Sequence, residues 1–265
     1  MKLGIFDSGL GGLLITKSIR EALPEHDLIY FGDTLRMPYG NRSDEAIYRF
    51  SKRVIDWLFK QDCALIIMAC NTASARALRR VQQEHLPRCW PDRNVLGVVV
   101  PTLEVAIEQG AKTIGVIGTN ATISAKIYSE ELKKLAPDLT IIEQATPLLA
   151  PLIENDGSRW STDILMHYLT PLKEQGVESL ILGCTHYAFL KDQIAKIMGE
   201  GCQIISQDDI IPHKLEQYLQ NHPEYAEQIT KTSEVLYTVS DLTDNYKTAA
   251  RAIYGQDIHI EQKDI

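Results

Sequence analysis

One local pattern occurs twice in this chain of 265 residues, and no other feature limits its fold so tightly. Leu65-Ile66-Ile67-Met68-Ala69-Cys70-Asn71-Thr72 and Leu180-Ile181-Leu182-Gly183-Cys184-Thr185-His186 share one plan. Each is an apolar run, a small residue, a cysteine, and then polar residues able to cap a helix. A second pair aligns upstream, Gly4-Ile5-Phe6-Asp7-Ser8 with Gly115-Val116-Ile117-Gly118-Thr119. Gly4 precedes Cys70 by 66 positions and Gly115 precedes Cys184 by 69. Spacings this close read as two copies of one unit, related by an approximate twofold.

The unit is α/β. Short apolar runs predict strands at Leu3–Phe6, Leu28–Phe31, Ala64–Met68, Val95–Val100, Thr113–Ile117, Thr140–Ile142, Ser179–Leu182 and Gln203–Ile205. Between them, helical periodicity marks Asp44–Lys60, Ala73–His85, Thr122–Leu135, Asp163–Gln175 and Phe189–Met198. Such alternation gives mostly parallel sheets flanked by helices. The expected architecture is two similar α/β domains with the active site in the cleft between them. The first spans 1–97 plus 210–265 and the second 98–209. The tail, with a strand-like Val235–Val239, is expected to return to the first domain.

Composition narrows the function. The net charge is −8, and the only basic cluster is the short Arg76…Arg79-Arg80 stretch. Nucleic-acid binders concentrate a basic face, so no nucleic-acid partner is expected. No apolar run approaches the roughly 18 residues of a membrane helix. Met1-Lys2-Leu3-Gly4-Ile5-Phe6 turns polar too soon for a signal peptide. These features lead to an expectation of a cytoplasmic location without membrane partners. The five cysteines, Cys63, Cys70, Cys89, Cys184 and Cys202, form no C-x-x-C pair and no zinc-ligand spacing. No metal is expected.

Ligands of open α/β sheets bind beyond the carboxyl ends of the strands, where both repeated cysteines fall. A helix starting after each cysteine offers free N–H groups and partial positive charge, which lower a thiol's pKa from about 8.5. Two similar units facing each other would bring Cys70 and Cys184 to one cleft, one on each side of a substrate. Inversion at carbon needs that arrangement: one group takes a proton from one face and the other delivers a proton to the opposite face. The motifs hold no lysine for a Schiff base and no pyridoxal-binding context, so no organic cofactor is expected. Cys63, Cys89 and Cys202, which lack polar neighbours of this kind, read as inert packing.

Other motifs supply binding groups. The glycines of Asp7-Ser8-Gly9-Leu10-Gly11-Gly12 would let backbone N–H groups approach an anion. The stretch lacks the Gly-Lys-Ser/Thr ending of a nucleotide loop. Asn71-Thr72 and Thr185-His186 are helix-capping types that could equally hold substrate carboxylates. Tyr39-Gly40, in the turn-rich segment Arg36 to Arg42, reads either as a surface loop or as a source of amides for the site.

Four ordered motifs together resemble the glutamate racemase family. They are Phe6-Asp7-Ser8-Gly9-Leu10-Gly11-Gly12; Tyr30-Phe31-Gly32-Asp33-Thr34 with Pro38-Tyr39-Gly40; Ala69-Cys70-Asn71-Thr72-Ala73-Ser74; and Leu182-Gly183-Cys184-Thr185-His186-Tyr187. The resemblance covers nearly the whole chain. It implies cofactor-independent racemisation of L- and D-glutamate, supply of D-glutamate for peptidoglycan, and a homodimer. It makes Cys70 and Cys184 the acid/base pair, assisted by Asp7, His186 and Glu154. It places substrate against Asp7, Ser8, Pro38, Tyr39, Gly40, Asn71, Thr72, Thr119, Thr185 and His186. The chain departs from the family at Thr146, where a cysteine is usual, and at Val100-Pro101-Thr102, where a proline-glycine pair is common. Ser206-Gln207-Asp208 also replaces a commoner aspartate-serine step. An aspartate or dual-specificity racemase would share the same motifs. A non-catalytic module of two lobes gripping an anion is the alternative of another class.

Overall fold

A computed structural model of the chain describes residues 1–155 and 157–265. Ten strands form two parallel sheets. The first contains β1 (Lys2–Asp7), β2 (Leu28–Gly32), β3 (Cys63–Met68) and β4 (Asn94–Gly97). The second contains β5 (Thr113–Gly118), β6 (Thr140–Ala145), β7 (Ser179–Gly183) and β8 (Gln203–Ile205). The last two strands, β9 (Val235–Val239) and β10 (Ile260–Gln262), return to the first sheet, where β9 pairs with β2. The strand orders are β10-β9-β2-β1-β3-β4 and β6-β5-β7-β8. Strip the two added strands and the orders coincide, so the sequence repeat is also a repeat of topology. β1, β2, β3 and β7 are buried almost throughout, because helices cover both faces of a parallel sheet.

The flanking helices are α1 (Gly12–Ala22), α2 (Asp44–Lys60), α3 (Asn71–Arg76), α4 (Val99–Glu108), α5 (Asn120–Ser124) and α6 (Ile127–Leu135). They continue with α7 (Leu149–Glu154), α8 (Ser161–Glu174), α9 (Lys191–Met198), α10 (Gln207–Asn221) and α11 (Asp244–Tyr254). The chain crosses between the sheets twice, before α4 and again before α10. Ile211, Leu215 and Leu219 of α10 pack into the first sheet's core with Leu13, Ile15 and Ile19 of α1. No helix among the described residues is long and apolar enough to cross a membrane.

Three expected elements change shape. The strand expected over Val95–Val100 stops at Gly97, and α4 begins at Val99. Pro101 fits there because the first turn of a helix needs no donor. The helix expected over Ala73–His85 breaks after Arg76 and widens into a π-turn at Val81–His85. Pro87 follows, and its ring would clash with a carbonyl in a regular turn. The helix expected over Thr122–Leu135 divides at Lys126, which takes a left-handed conformation with φ of 58°.

Candidate active site

Four strand ends converge on one small cavity. β1 delivers Ser8 and β3 delivers Cys70, Asn71 and Thr72; β5 delivers Thr119 and β7 delivers Cys184, Thr185 and His186. Pro38, Tyr39 and Gly40 close it from the loop after β2, and Ala150 and Glu154 from α7. Its volume is about 30 Å³, room for about one or two waters. In this form the cleft is shut.

Cys70 sits beside a carboxylate. Its Sγ donates to the Ser8 hydroxyl at 3.3 Å and caps α3 by accepting from the Ala73 N–H at 3.5 Å. The thiol is nonetheless pushed up to about 12, by burial first and then by Asp7. The expected lowering by a helix terminus is therefore reversed here. Loss of solvent and a nearby carboxylate outweigh one weak N–H···S contact. Asp7 lies behind Ser8, fully buried, and accepts from the Gly9 N–H at 2.9 Å and the Thr185 hydroxyl at 3.3 Å. Burial raises its carboxyl above the ordinary range even though His186, Gly9, Gly12 and Thr185 all act to lower it.

Cys184 sits beside an imidazole. Its Sγ lies 3.7 Å from Nδ1 of His186. On the far side of the ring, Nε2 is 3.1 Å from Oε1 of Glu154. That is ion-pair range, but Nε2 makes no hydrogen bond among the described residues. Burial acts to lower the imidazole's pKa. The interactions with Cys184 and Glu154 outweigh it and hold His186 well above its usual range. Cys184 opens a 3-10 turn, Thr185–Leu190, and makes no cap. The α-helix terminus expected after Cys184 is therefore absent, because α9 starts only at Lys191.

The seam between the sheets is polar. Thr72, Thr119 and Thr122 form a triangle of hydroxyls at 2.9, 3.0 and 3.1 Å. Arg76 extends the seam, donating to the Ala121 carbonyl at 2.9 Å and the Ser124 hydroxyl at 2.6 Å. The loop bearing Tyr39 is anchored by Asp33, a fully buried carboxylate. Asp33 accepts from the Tyr39 hydroxyl and Arg36 at 2.6 Å each, and from the Ser240 hydroxyl at 2.9 Å. A larger cavity of about 770 Å³ lies along β4, α4 and α10. It contains no thiol, and its cations are already paired, Arg79 with Glu131 and Lys214 with Glu104. Both repeated thiols line the smaller cavity.

The chain is similar in sequence and fold to known proteins. A family profile for Asp/Glu/hydantoin racemases matches residues 11–211. The chain belongs to that family. It is 38% identical over 261 residues to a glutamate racemase of Aquifex aeolicus, covering 97% of this chain and 96% of the relative. A glutamate racemase isoform of Bacillus anthracis superposes with a TM-score of 0.90 at 30% identity, covering 100% of this chain and 97% of the other. A glutamate racemase of Francisella tularensis, solved in complex with D-glutamate, gives 0.88 at 29% identity, with coverages of 100% and 97%.

Of the residues singled out from sequence, all but Asp7 border the cavity, and Asp7 stands directly behind it. Cys63 and Cys202 are buried away from it and Cys89 is exposed. The glycine loop has a different use from the one expected. The Gly9 N–H goes to Asp7 rather than to an open anion site. A Cβ on Gly11 would come within 2.6 Å of the Thr185 backbone, and one on Gly12 would run into the Asp7 side chain. These glycines permit close packing. Reading the sequence did not single out Ala150, the anchor Asp33 or Thr122 of the hydroxyl triangle. Asp33 alone lay inside a recognised motif. Among the described residues, no cluster of three or more His, Cys, Asp or Glu is placed to hold a metal ion.

Proposed function

We propose that the chain interconverts L- and D-glutamate by proton transfer at Cα between Cys70 and Cys184. The observation that carries the reading is the meeting of two matching cysteine turns, one from each sheet, at a single cavity. One thiolate removes the α-proton and the opposite thiol protonates the other face, so the two sulfurs exchange protonation states. Asp7 and Ser8 assist Cys70; His186 and Glu154 assist Cys184. Asn71, Thr72, Thr119, Thr185 and the Tyr39-Gly40 backbone hold the two carboxylates, and Pro38 shapes the wall. Donors to the α-carboxylate among them stabilise the carbanion as charge develops and the others hold the substrate in place, without metal or organic cofactor. Glutamate as substrate rests on the relatives, among them the Francisella enzyme solved with D-glutamate.

A cavity of about 30 Å³ is far too small for glutamate, so the cleft opens to admit it. The parts that move are residues 1–97 with 210–265 and residues 98–209. We further propose a cytoplasmic homodimer that supplies D-glutamate for peptidoglycan. Circular dichroism or chiral chromatography of purified protein with each enantiomer of glutamate and aspartate tests the activity. Glutamate is interconverted in both directions without additions and is unaffected by a chelator. In D₂O, early D-product from L-glutamate carries deuterium while remaining L-glutamate stays largely protiated. Turnover of aspartate alone would make this an aspartate racemase. Turnover of neither would favour a binding module.

A further inference from the structure

The amide of Asn71 is 1% exposed, and its two ends are treated differently. Oδ1 accepts from the Tyr128 hydroxyl at 2.6 Å and from Nε2 of Gln207 at 3.3 Å. Nδ2 is buried without a hydrogen-bond partner among the described residues, and Asn71 borders the cavity between the thiols. A buried N–H₂ left unpaired is costly unless a ligand completes it.

Both holders are buried. Tyr128 is fully buried in α6, and burial keeps its phenol protonated well above the ordinary range, so it is available as a donor. Gln207 is buried at the first position of α10, where the chain crosses back between the sheets. Turning the Asn71 amide over would set its N–H₂ against that of Gln207, donor to donor. The two supports therefore decide which end faces the cavity.

We propose that Gln207 and Tyr128 are positioning residues that lock the Asn71 N–H₂ toward the cavity as a donor to a substrate carboxylate. The inference rests on the racemase reading above and adds residues outside the four family motifs. Gln207 falls where the chain departs from the family's commoner aspartate-serine step. Tyr128 stands on the helix after β5, whereas Asn71 follows β3. The amide is thus oriented only when the two halves are together, which couples carboxylate binding to closure.

The test is steady-state kinetics in both directions on the parent, Gln207→Glu and Tyr128→Phe, with thermal midpoints recorded for each. In Gln207→Glu the new carboxylate cannot donate while ionised and attracts the Asn71 N–H₂, turning Oδ1 toward the substrate carboxylate. KM for both enantiomers then rises about tenfold or more, the loss of one hydrogen bond to a charged group. The two kcat values stay within about threefold, because the contact serves ground and transition states alike. Tyr128→Phe moves KM the same way by less, and carries the test alone if Gln207→Glu does not fold. A folded Gln207→Glu enzyme with KM within twofold of the parent, or with kcat falling at constant KM, overturns the inference alone. A parent that does not racemise glutamate overturns the racemase reading, and this inference with it.

Discussion

The turns at Cys70 and Cys184 are copies in sequence and topology, yet their surroundings have opposite character. Cys70 caps α3, touches the Ser8 hydroxyl and lies near the buried carboxylate Asp7. Cys184 starts a 3-10 turn and lies against His186, which Glu154 backs. Burial and the carboxylate hold the Cys70 thiol's pKa up. On the Cys184 side stands an imidazole held above its usual range by Cys184 and Glu154. The repeat brings one sulfur from each sheet to the cavity, and divergence around each gives the two different neighbours. A fold built from two copies can therefore be symmetric in architecture and asymmetric in electrostatics.

The sharpest way to break the comparison is to delete either sulfur. Each direction needs a base on one face and an acid on the other, so Cys70→Ala and Cys184→Ala each lower racemisation by about 10⁴-fold or more. Cys63→Ala and Cys202→Ala, buried elsewhere, leave kcat near the parent value. A Cys184→Ala enzyme with near-normal rates would end the two-thiol reading.

The supports come next in size. Asp7→Asn and His186→Asn should each lower kcat/KM by about 10²–10⁴-fold. Enantiomers have equal free energy in water, so kcat/KM stays equal for L- and D-glutamate in every variant. The asymmetry appears only in kcat and KM taken separately. Asp7→Asn should lower kcat more for one enantiomer, whose KM then stands below the other's by the same ratio, and His186→Asn more for the other. Variants that shift both directions alike would show that the two sides act as one.

How much of this was legible in the sequence follows from where each constraint resides. Buried parallel strands are continuous apolar runs, so β3, β7 and the cysteines ending them could be read directly. Val99 and Val100 belong to the same kind of run, yet they open α4, because tertiary packing overrides β-propensity. The π-turn at Val81–His85 lay hidden in a good helical period. Tyr128 and Gln207 could not have been found. They act on Asn71 across 57 and 136 positions, and only the folded chain makes them neighbours. The Cys70 thiol misled for a related reason. A helix terminus is visible in sequence, whereas complete burial beside Asp7 is not.

A smaller effect separates two buried carboxylates near the Cys70 side. Asp33 is satisfied by Arg36, Tyr39 and Ser240. Breaking a buried charged pair by removing one partner costs about 3–5 kcal/mol. Asp33→Ala should therefore lower the thermal midpoint by roughly 10 °C at about 2–4 °C per kcal/mol, and raise KM as Tyr39 loosens. An unchanged midpoint would mean that the loop 34–41 is held by other contacts.

Asp7 should behave in the opposite way, with the smallest change. Its carboxyl is raised above 3.8 by burial, so between that value and its folded pKa the native state holds more protons than the unfolded chain. Stability contributed by this group is therefore full below pH 3.8, falls as pH rises through the folded pKa, and stays reduced above it. An amide at this position mimics the protonated carboxyl, with one donor end and one acceptor end, and carries no charge to bury. Asp7→Asn should then match the parent below about pH 4, where the unfolded carboxyl is protonated. At neutral pH it should be the more stable protein, by roughly 1 kcal/mol or about 2–4 °C, while racemising far more slowly. Gain of stability with loss of activity marks a group held in an unfavourable state for function. Thermal midpoints of parent and variant between about pH 4 and 8 decide the matter. If the variant is less stable near neutral pH and the gap narrows in acid, the hydrogen bonds from Gly9 and Thr185 outweigh burial. Asp7 would then resemble Asp33 rather than oppose it.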